Sequence, residues 1–166
     1  MELYFIRHGI AIDRTAPGLT SDEERWLTEE GIEKMKEVAR AFRKLVAPLD
    51  AVYTSPLLRA KQTAEIIIQA YKTAPPLIEN PLLAPGMDLK SLEKLTRNHH
   101  AGDRLAFVGH EPDFSELIAL LTAGTAEANI EMKKGAVCRV DVEGIPARGA
   151  GWLVWLLPPK ALRLSA

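Results

Sequence analysis

Residues 3–9 read Leu3-Tyr4-Phe5-Ile6-Arg7-His8-Gly9, four apolar residues that stop abruptly at an arginine, a histidine and a glycine. In a strand, successive side chains point to opposite faces, so a short run in which every residue is apolar is typical of a strand buried on both sides, as in a parallel sheet covered by helices. Polar side chains directly after such a strand lie at its carboxyl end, where open α/β sheets bind their ligands. The stretch therefore predicts an α/β fold and the place of a site.

The same pattern recurs twice further along the chain. A strand predicted over 51–54 is followed by Ser55-Pro56 and Arg59, and one predicted over 104–108 is followed by Gly109-His110. Segments with helical periodicity separate these strands, which favours an α/β fold with parallel strands. If the strands run parallel, their three polar ends converge in one crevice.

The remaining predicted elements follow from capping residues, periodicity and prolines. The first predicted helix runs from a cap at Thr28 to a stop at Pro48, and the others cover about 57–71, 88–99 and 114–121. Before the second helix, Ser55 is the predicted cap and Pro56 is predicted at the first helical position. Two final strands cover 136–142 and 152–157. Residues 10–26 have no sustained period and form a long loop, which is a candidate lid over the crevice.

The composition limits the classes of protein that fit. The 166 residues include 21 Lys and Arg against 22 Asp and Glu, and 47% are hydrophobic. The resulting net charge of -1 provides no general attraction to nucleic acid or acidic membranes. No apolar run reaches the roughly 18 residues that span a bilayer, and Cys138 has no partner for an internal disulfide. We therefore expect one cytoplasmic domain, residues 1–166, that binds neither nucleic acid nor membrane.

Arginine, histidine and glycine at the strand ends suit an oxyanion such as a phosphoryl group. Arginine pairs its planar fork with phosphate oxygens, and a neutral histidine is a nucleophile whose pKa nearby arginines would lower. Taken singly, Arg59 also fits a surface helix and His110 a capping or core position. The histidines lack the spacing of metal ligands and one cysteine makes no cluster, so no metal site is predicted.

The three strand-end motifs resemble those of the histidine phosphatase superfamily, also called the phosphoglycerate mutase-like family. Arg7-His8-Gly9 is similar to its defining motif, residues 55–64 (SPLLRAKQTA) resemble its Ser-Pro-x-x-Arg-Ala-x-x-Thr-Ala motif, and Gly109-His110 resembles its third motif. The segment Asp22-x-x-Arg25-x-Leu27-Thr28-x-x-Gly31 is similar to the one that precedes the first long helix of small SixA-type phosphohistidine phosphatases. The resemblance implies a three-layer α/β/α fold with a mostly parallel sheet and an antiparallel edge.

The resemblance also implies a role for each matching residue. His8 would accept the phosphoryl group, and Arg7, Arg59 and His110 would bind its oxygens during in-line transfer. The carbonyl of Gly9 would hold the other ring nitrogen of His8 and set its tautomer. Neither a metal nor a cofactor is implied.

The leaving group depends on whether the site contains an acid. Many members of the superfamily have an Asp or Glu after the middle strand to protonate a departing alkoxide, but residues 82–88 offer none at the Pro85-Gly86 turn. The imidazole of phosphohistidine leaves more readily, so the absence of the acid fits that substrate. Two candidates for an acid remain, Asp88 at the start of a predicted helix and Glu111 beside His110.

We therefore predict a phosphohistidine phosphatase that acts on a phosphorylated protein, for example a histidine phosphotransfer domain. The alternatives are a small-molecule phosphomonoesterase of the same superfamily and a non-catalytic phosphate-binding module that regulates a partner. Arg25 has two interpretations: a further cationic contact to the substrate, or a surface arginine paired with Asp22 or Glu29.

Overall fold

In the computed structural model, residues 1–164 are described, and they form six strands and five helices. The strands are β1 (Glu2–Arg7), β2 (Ala51–Thr54), β3 (Leu77–Glu79), β4 (Arg104–Gly109), β5 (Val137–Val142) and β6 (Gly151–Leu157). The helices are α1 (Glu29–Leu45), α2 (Leu58–Gln69), α3 (Leu89–Thr96), α4 (Asp113–Ala123) and α5 (Pro159–Arg163).

All six strands belong to one mixed sheet in the order β3-β2-β4-β1-β5-β6. The four strands from β3 to β1 are parallel, because helices connect them and return the chain to the same end of the sheet. Strands β5 and β6 are joined by residues 143–150 and run antiparallel at one edge. This arrangement confirms the predicted sheet, which is mostly parallel with an antiparallel edge.

Two hydrophobic clusters, one on each face of the sheet, form the core. Leu3 and Phe5 of β1 pack with apolar residues of α3 and α4. Tyr4 and Ile6 point to the opposite face and pack with α1, α2 and α5. All four side chains are buried, so β1 is covered on both sides as its apolar run predicts. The fold is the predicted three-layer α/β/α sandwich.

The ends of the first two helices test the capping predictions. Helix α1 begins as predicted, because the hydroxyl of Thr28 accepts the N–H of Gly31 at 3.0 Å. The predicted start of α2 is wrong: helical backbone begins at Leu58, so Pro56 does not occupy the first helical position. The hydroxyl of Ser55 hydrogen-bonds instead to the side chain that follows β4.

The segment over 10–26 has more structure than the predicted loop. Its two ends are joined by an antiparallel bridge between Ala11 and Leu27, and residues 22–24 form a 3-10 turn. The side chain of Arg25 reaches across the segment and donates from Nε to the carbonyl of Ile12 at 2.8 Å. The segment is therefore a closed strap that covers the carboxyl ends of the strands.

No helix in the described part of the chain is both long and apolar enough to cross a bilayer. Helix α3 ends at Thr96, earlier than the predicted 88–99, and α5 was not predicted. Helix α5 has only five residues, and two of them, a proline and a lysine, also suit a surface loop. The sequence therefore gives little indication of a helix there.

Candidate active site

The polar residues that follow β1, β2 and β4 meet at one edge of the sheet. Strand β4 lies between the other two, and backbone hydrogen bonds extend the pairing beyond the strands. The N–H of His8 donates to the carbonyl of Gly109 at 3.1 Å, and the N–H of Ser55 donates to the carbonyl of Val108 at 3.0 Å. The predicted convergence of the three motifs is present, although each is separated from the next by about 50 residues of chain.

These residues line a cleft of about 520 Å³, which we call the histidine cleft. Six of its side chains belong to the sites that the sequence predicts, and the strap, the turn before α3 and the segment before β5 provide the rest. The lining residues are Arg7, His8, Arg14, Asp22, Arg25, Arg59, Pro85, His110, Glu111 and Lys134. The predominance of cationic side chains makes this a cleft for an anion.

The ring of His8 is held in one orientation by its two nitrogens. Nδ1 lies 2.7 Å from the carbonyl oxygen of Gly9, and because a carbonyl only accepts, Nδ1 holds the proton. Nε2 is therefore unprotonated, and its lone pair accepts a long hydrogen bond from Nε–H of Arg59 at 3.3 Å. The contact that we predicted between Gly9 and the ring is present.

Gly9 also permits a close approach behind the ring. A Cβ atom at this position would lie 2.7 Å from Cγ of Met35 on α1. The absent side chain thus allows the chain after β1 to pack directly against α1. The packing holds the backbone carbonyl that orients His8.

Both cleft histidines are neutral near pH 7. Burial, with smaller effects of His110, Arg59 and Arg7, lowers the pKa of His8 from 6.5 to about 3 against the opposing effect of the hydrogen bond that the ring donates to the carbonyl of Gly9. Burial and Arg59 lower the pKa of His110 to about 4. The sequence predicts neutral rings from the neighbouring arginines, and the structure shows that burial is the larger cause.

The two ring nitrogens of His110 have different surroundings. Its Nε2 lies 2.8 Å from the hydroxyl of Ser55, which in turn accepts the N–H of Leu57 at 3.3 Å. The other ring nitrogen of His110 is Nδ1. That Nδ1 is buried and has no hydrogen-bond partner in residues 1–164, and the same is true of Nε of Arg7. Both residues line the same cationic cleft, so these two unpaired polar atoms fit a site for an oxyanion ligand.

Asp22, which we did not single out as a site residue, connects the strap to Arg59. Nη1 of Arg59 donates to the backbone carbonyl of Asp22 at 2.7 Å, and Nη2 donates to the carboxylate at 2.9 Å. The same carboxylate pairs with Arg25 at 3.0 Å and with Arg14 at 3.1 Å. Partial burial alone would raise the pKa of Asp22, but the hydrogen bonds and charges of Arg25 and Arg59 hold it below its usual value.

Arg25 combines the two interpretations that the sequence leaves open. It pairs with Asp22 as the structural interpretation predicts, yet it is buried rather than on the surface. It also lines the histidine cleft, as a substrate-binding role requires. The structure therefore places its charge at the site, although Asp22 partly neutralises it.

The two candidate acids lie in different places. Asp88 caps α3, where its Oδ1 accepts the N–H of Ser91 at 2.9 Å, and it is exposed and outside the cleft lining. Glu111 lines the cleft beside His110, and its carboxylate accepts hydrogen bonds from the N–H and hydroxyl of Ser115. Burial raises the pKa of Glu111 against the opposing effect of these bonds. Of the two, only Glu111 is positioned to reach a ligand in the cleft.

Lys134 is a further cleft residue that the sequence analysis missed. It precedes β5 beside Lys133, and two adjacent lysines in a polar segment are usually an exposed charged surface. Burial and the charges of Arg7, Arg25 and Arg59 lower the pKa of Lys134. In the described residues, no three His, Cys, Asp or Glu side chains come together as metal ligands would.

Comparison with known proteins places the chain in a family. Residues 3–99 match the family model for the histidine phosphatase superfamily (branch 1). An uncharacterized protein from Picosynechococcus sp. is 36% identical over 165 residues, which cover 98% of this chain and 99% of the relative.

Solved structures share the fold over almost the whole chain. The protein histidine phosphatase SixA, complexed with tungstate, has a TM-score of 0.80 and 26% identity, and the match covers 98% of this chain and 99% of that one. A phosphoserine phosphatase from Entamoeba histolytica, in complex with phosphoserine, has a TM-score of 0.68 and 17% identity over 97% and 98% of the two chains. The second likeness is one of fold alone.

Proposed function

The chain belongs to branch 1 of the histidine phosphatase superfamily and is a phosphatase of the SixA type, and on that premise we propose that it removes a phosphoryl group from a histidine of a protein. Residues 1–166 act as one such domain. The observation that supports this most directly is the orientation of His8, with Nδ1–H on the carbonyl of Gly9 and Nε2 beside Arg59. This arrangement leaves a nucleophilic lone pair inside a cationic cleft.

The first step transfers the phosphoryl group to His8. Nε2 of His8 attacks phosphorus, the P–N bond to the substrate histidine breaks, and the departing imidazole takes up a proton from water. In the second step, water attacks phosphorus, the bond to Nε2 breaks, and inorganic phosphate leaves. The low pKa of His8 keeps its imidazole neutral, so the nucleophile is available over the whole physiological pH range.

Cationic groups around His8 stabilise the charge on the transferred group. Arg59 donates toward Nε2 already, and the unpaired Nε of Arg7 and Nδ1 of His110 are further donors to the equatorial oxygens. Such groups act electrostatically because they are positioned before the reaction in a partly water-excluded site. With this charge supplied by side chains, the reaction that we propose needs no metal ion.

A small-molecule phosphomonoesterase is the second candidate, and Glu111 is the observation that favours it. Its carboxylate lies in the cleft and burial raises its pKa, which is how a general acid is prepared. The phosphoserine phosphatase with the same fold shows that this fold accepts a small ligand. Against this role, both carboxylate oxygens are already bonded to Ser115.

A paired assay with metal chelated tests the proposal. One substrate is a protein phosphorylated on histidine, the other is a simple phosphomonoester, and each is offered to the wild type, to His8→Ala and to the matched control His100→Ala, which removes an exposed histidine. We expect a strong preference for phosphohistidine that His8→Ala lowers by at least about 1,000-fold.

The outcomes separate the candidate functions. Equal or faster hydrolysis of the phosphomonoester contradicts the proposed substrate and favours the second candidate. An activity that survives His8→Ala contradicts the proposed nucleophile. Phosphate binding without turnover of either substrate would identify a non-catalytic module.

A further inference from the structure

A second, larger depression lies beside the histidine cleft. It has a volume of about 1,100 Å³ and is bounded by α1, by residues 131–135 before β5 and by α5. Seven basic and two acidic side chains line it, in a chain whose net charge is only -1. We call this surface the basic groove; its basic residues are Arg7, Lys34, Arg40, Lys133, Lys134, Lys160 and Arg163.

Most of the positive charge in the groove is not neutralised. Of its two carboxylates, Glu37 is paired with Arg163 and Glu131 is exposed, and Lys34 is paired with Glu30 outside the groove. Among residues 1–164, no carboxylate lies within ion-pair distance of Arg40, Lys133 or Lys160. Exposed cations that have no partner within the protein produce a local positive potential, although the molecule as a whole is nearly neutral.

The basic groove and the histidine cleft share a wall. Arg7 and Lys134 line both depressions, and Gly9, whose carbonyl orients His8, lines the groove. A chain lying in the groove therefore comes next to the entrance of the histidine cleft. The groove is thus within reach of the surface that surrounds a phosphorylated side chain bound in the cleft.

The form of the groove favours a protein segment over a small anion. Its free cations are lysines and an arginine at the ends of long, exposed side chains, spread along three separate elements. Specific sites for small anions instead use a few buried, convergent donors. Dispersed exposed charges are typical of surfaces that attract and orient an oppositely charged protein.

We propose that the basic groove is a docking surface for an acidic segment of the substrate protein, next to its phosphorylated histidine. This rests on the proposed function, since it names the surface that accompanies the phosphohistidine into the cleft. Carboxylates of that segment lie along Lys133, Lys160 and Arg40, while the phosphoryl group reaches His8. The groove thus selects among phosphohistidine proteins by the charge around the modified residue.

The test uses two synthetic peptides, each with one histidine, flanked in one by glutamates and in the other by serines. The affinity of each unphosphorylated peptide is measured by fluorescence anisotropy. The phosphorylated form of each peptide is used to measure turnover. The variant Lys133→Glu/Lys160→Glu reverses two groove charges, and Lys90→Glu/Lys94→Glu makes the same change on exposed positions of α3, on the opposite face of the sheet.

We expect the wild type to prefer the glutamate peptide at low salt, with the preference in KM rather than kcat. The groove variant should lose about tenfold in affinity for that peptide, and the α3 variant should bind it like the wild type. High salt should remove the preference, because the contacts are exposed.

Three results would overturn the proposal. One is equal affinity of the wild type for both peptides, and another is an equal loss in the α3 variant. The third is binding of tripolyphosphate but not of the glutamate peptide, which would make the groove a small-anion site. If the glutamate peptide binds in the groove but its phosphorylated form is not hydrolysed, the proposed substrate has failed while the docking surface stands.

Discussion

The reactivity of His8 depends on which of its two ring nitrogens is free. The carbonyl of Gly9 accepts a hydrogen bond from Nδ1–H, so the unprotonated nitrogen is Nε2, which faces Arg59. Burial keeps the ring neutral. One backbone carbonyl and the surrounding packing thus determine both the tautomer and the charge state of the proposed nucleophile.

Asp22 places a negative charge in the cleft that we propose binds the phosphoryl group. Its carboxylate is paired with Arg59 and Arg25, so an incoming phosphoryl group competes with it for the same donors. We expect Asp22→Asn to bind inorganic phosphate more tightly, by about fivefold or about 1 kcal/mol, because a repulsive charge at a partly exposed site is removed. The inhibition constant of phosphate, measured at pH 7, gives this change.

Glu23→Gln is the matched control for Asp22→Asn, since Glu23 follows directly in the strap and does not line the cleft. It should leave the inhibition constant unchanged. Weaker phosphate binding by Asp22→Asn would contradict the expectation and would make Asp22 a residue that positions Arg59 for its ligand.

Glu111 decides between the two candidate substrates at the level of one side chain. If the enzyme acts on phosphohistidine, Glu111→Gln should change kcat/KM for that substrate by less than about threefold, because imidazole leaves without a protein acid. Steady-state kinetics on a phosphohistidine peptide measure this. A loss of about 100-fold on a phosphomonoester would instead identify Glu111 as a general acid.

Single residues at the site differ in how well the sequence predicts them. Arg7, His8 and His110 follow buried strands directly, so their common location can be inferred from the strand pattern alone. Asp22 and Lys134 reach the cleft from irregular segments, whose path depends on long-range packing. No periodic pattern indicates where such a segment lies, and charged residues within it are usually on a solvated surface.

At the scale of elements, the strap depends on a close contact with the start of α1. The carbonyl of Ile10 accepts the N–H of Thr28 at 2.9 Å, and a Cβ atom on Gly31 would lie only 2.1 Å from that oxygen. Gly31 is therefore required for the approach of two backbones, although its position in the first turn of a helix would ordinarily favour alanine.

We expect Gly31→Ala to destabilise the protein by at least about 2 kcal/mol, where helix propensity alone predicts a gain of about 1 kcal/mol. Urea unfolding of the variant measures the change. Gly102→Ala is the control, because nothing lies within 4 Å of its added Cβ. A Gly31→Ala variant as stable as the wild type would show that the strap can move away from α1 without cost.

The elements themselves illustrate which local signals are sufficient. The hydroxyl of Thr28 caps α1 as predicted, because its only other contact is a long one, 3.4 Å to the carbonyl of Ile10, to which it donates while it accepts the N–H of Gly31. The hydroxyl of Ser55 looks equally suitable as a cap in the sequence, but it bonds to His110, which is distant along the chain. Local patterns thus locate the helices, whereas functional contacts between elements change where they begin.

At the scale of the whole molecule, burial of two histidines links the active site to stability. His8 and His110 have an ordinary pKa of 6.5 in the unfolded chain, and folding lowers it to about 3 and about 4. Below pH 6.5 the unfolded chain therefore binds protons that the folded protein does not. Each such histidine lowers the free energy of unfolding by about 1.4 kcal/mol for every unit by which the pH falls in this range.

We expect this loss of stability to occur as the pH falls from 6.5 toward 4. Carboxylates with a lowered pKa, such as Asp22, contribute a separate loss below about pH 3.8, and Glu111, with a raised pKa, acts in the opposite direction. Urea unfolding of the wild type and of His8→Asn at a series of pH values isolates the histidine, since the carboxylates are common to both. The slope of the variant between pH 6 and pH 4 should be smaller by about 1.4 kcal/mol per unit. Equal slopes would mean that the folded protein binds a proton at His8 in this range, so that its imidazole is not a neutral nucleophile there.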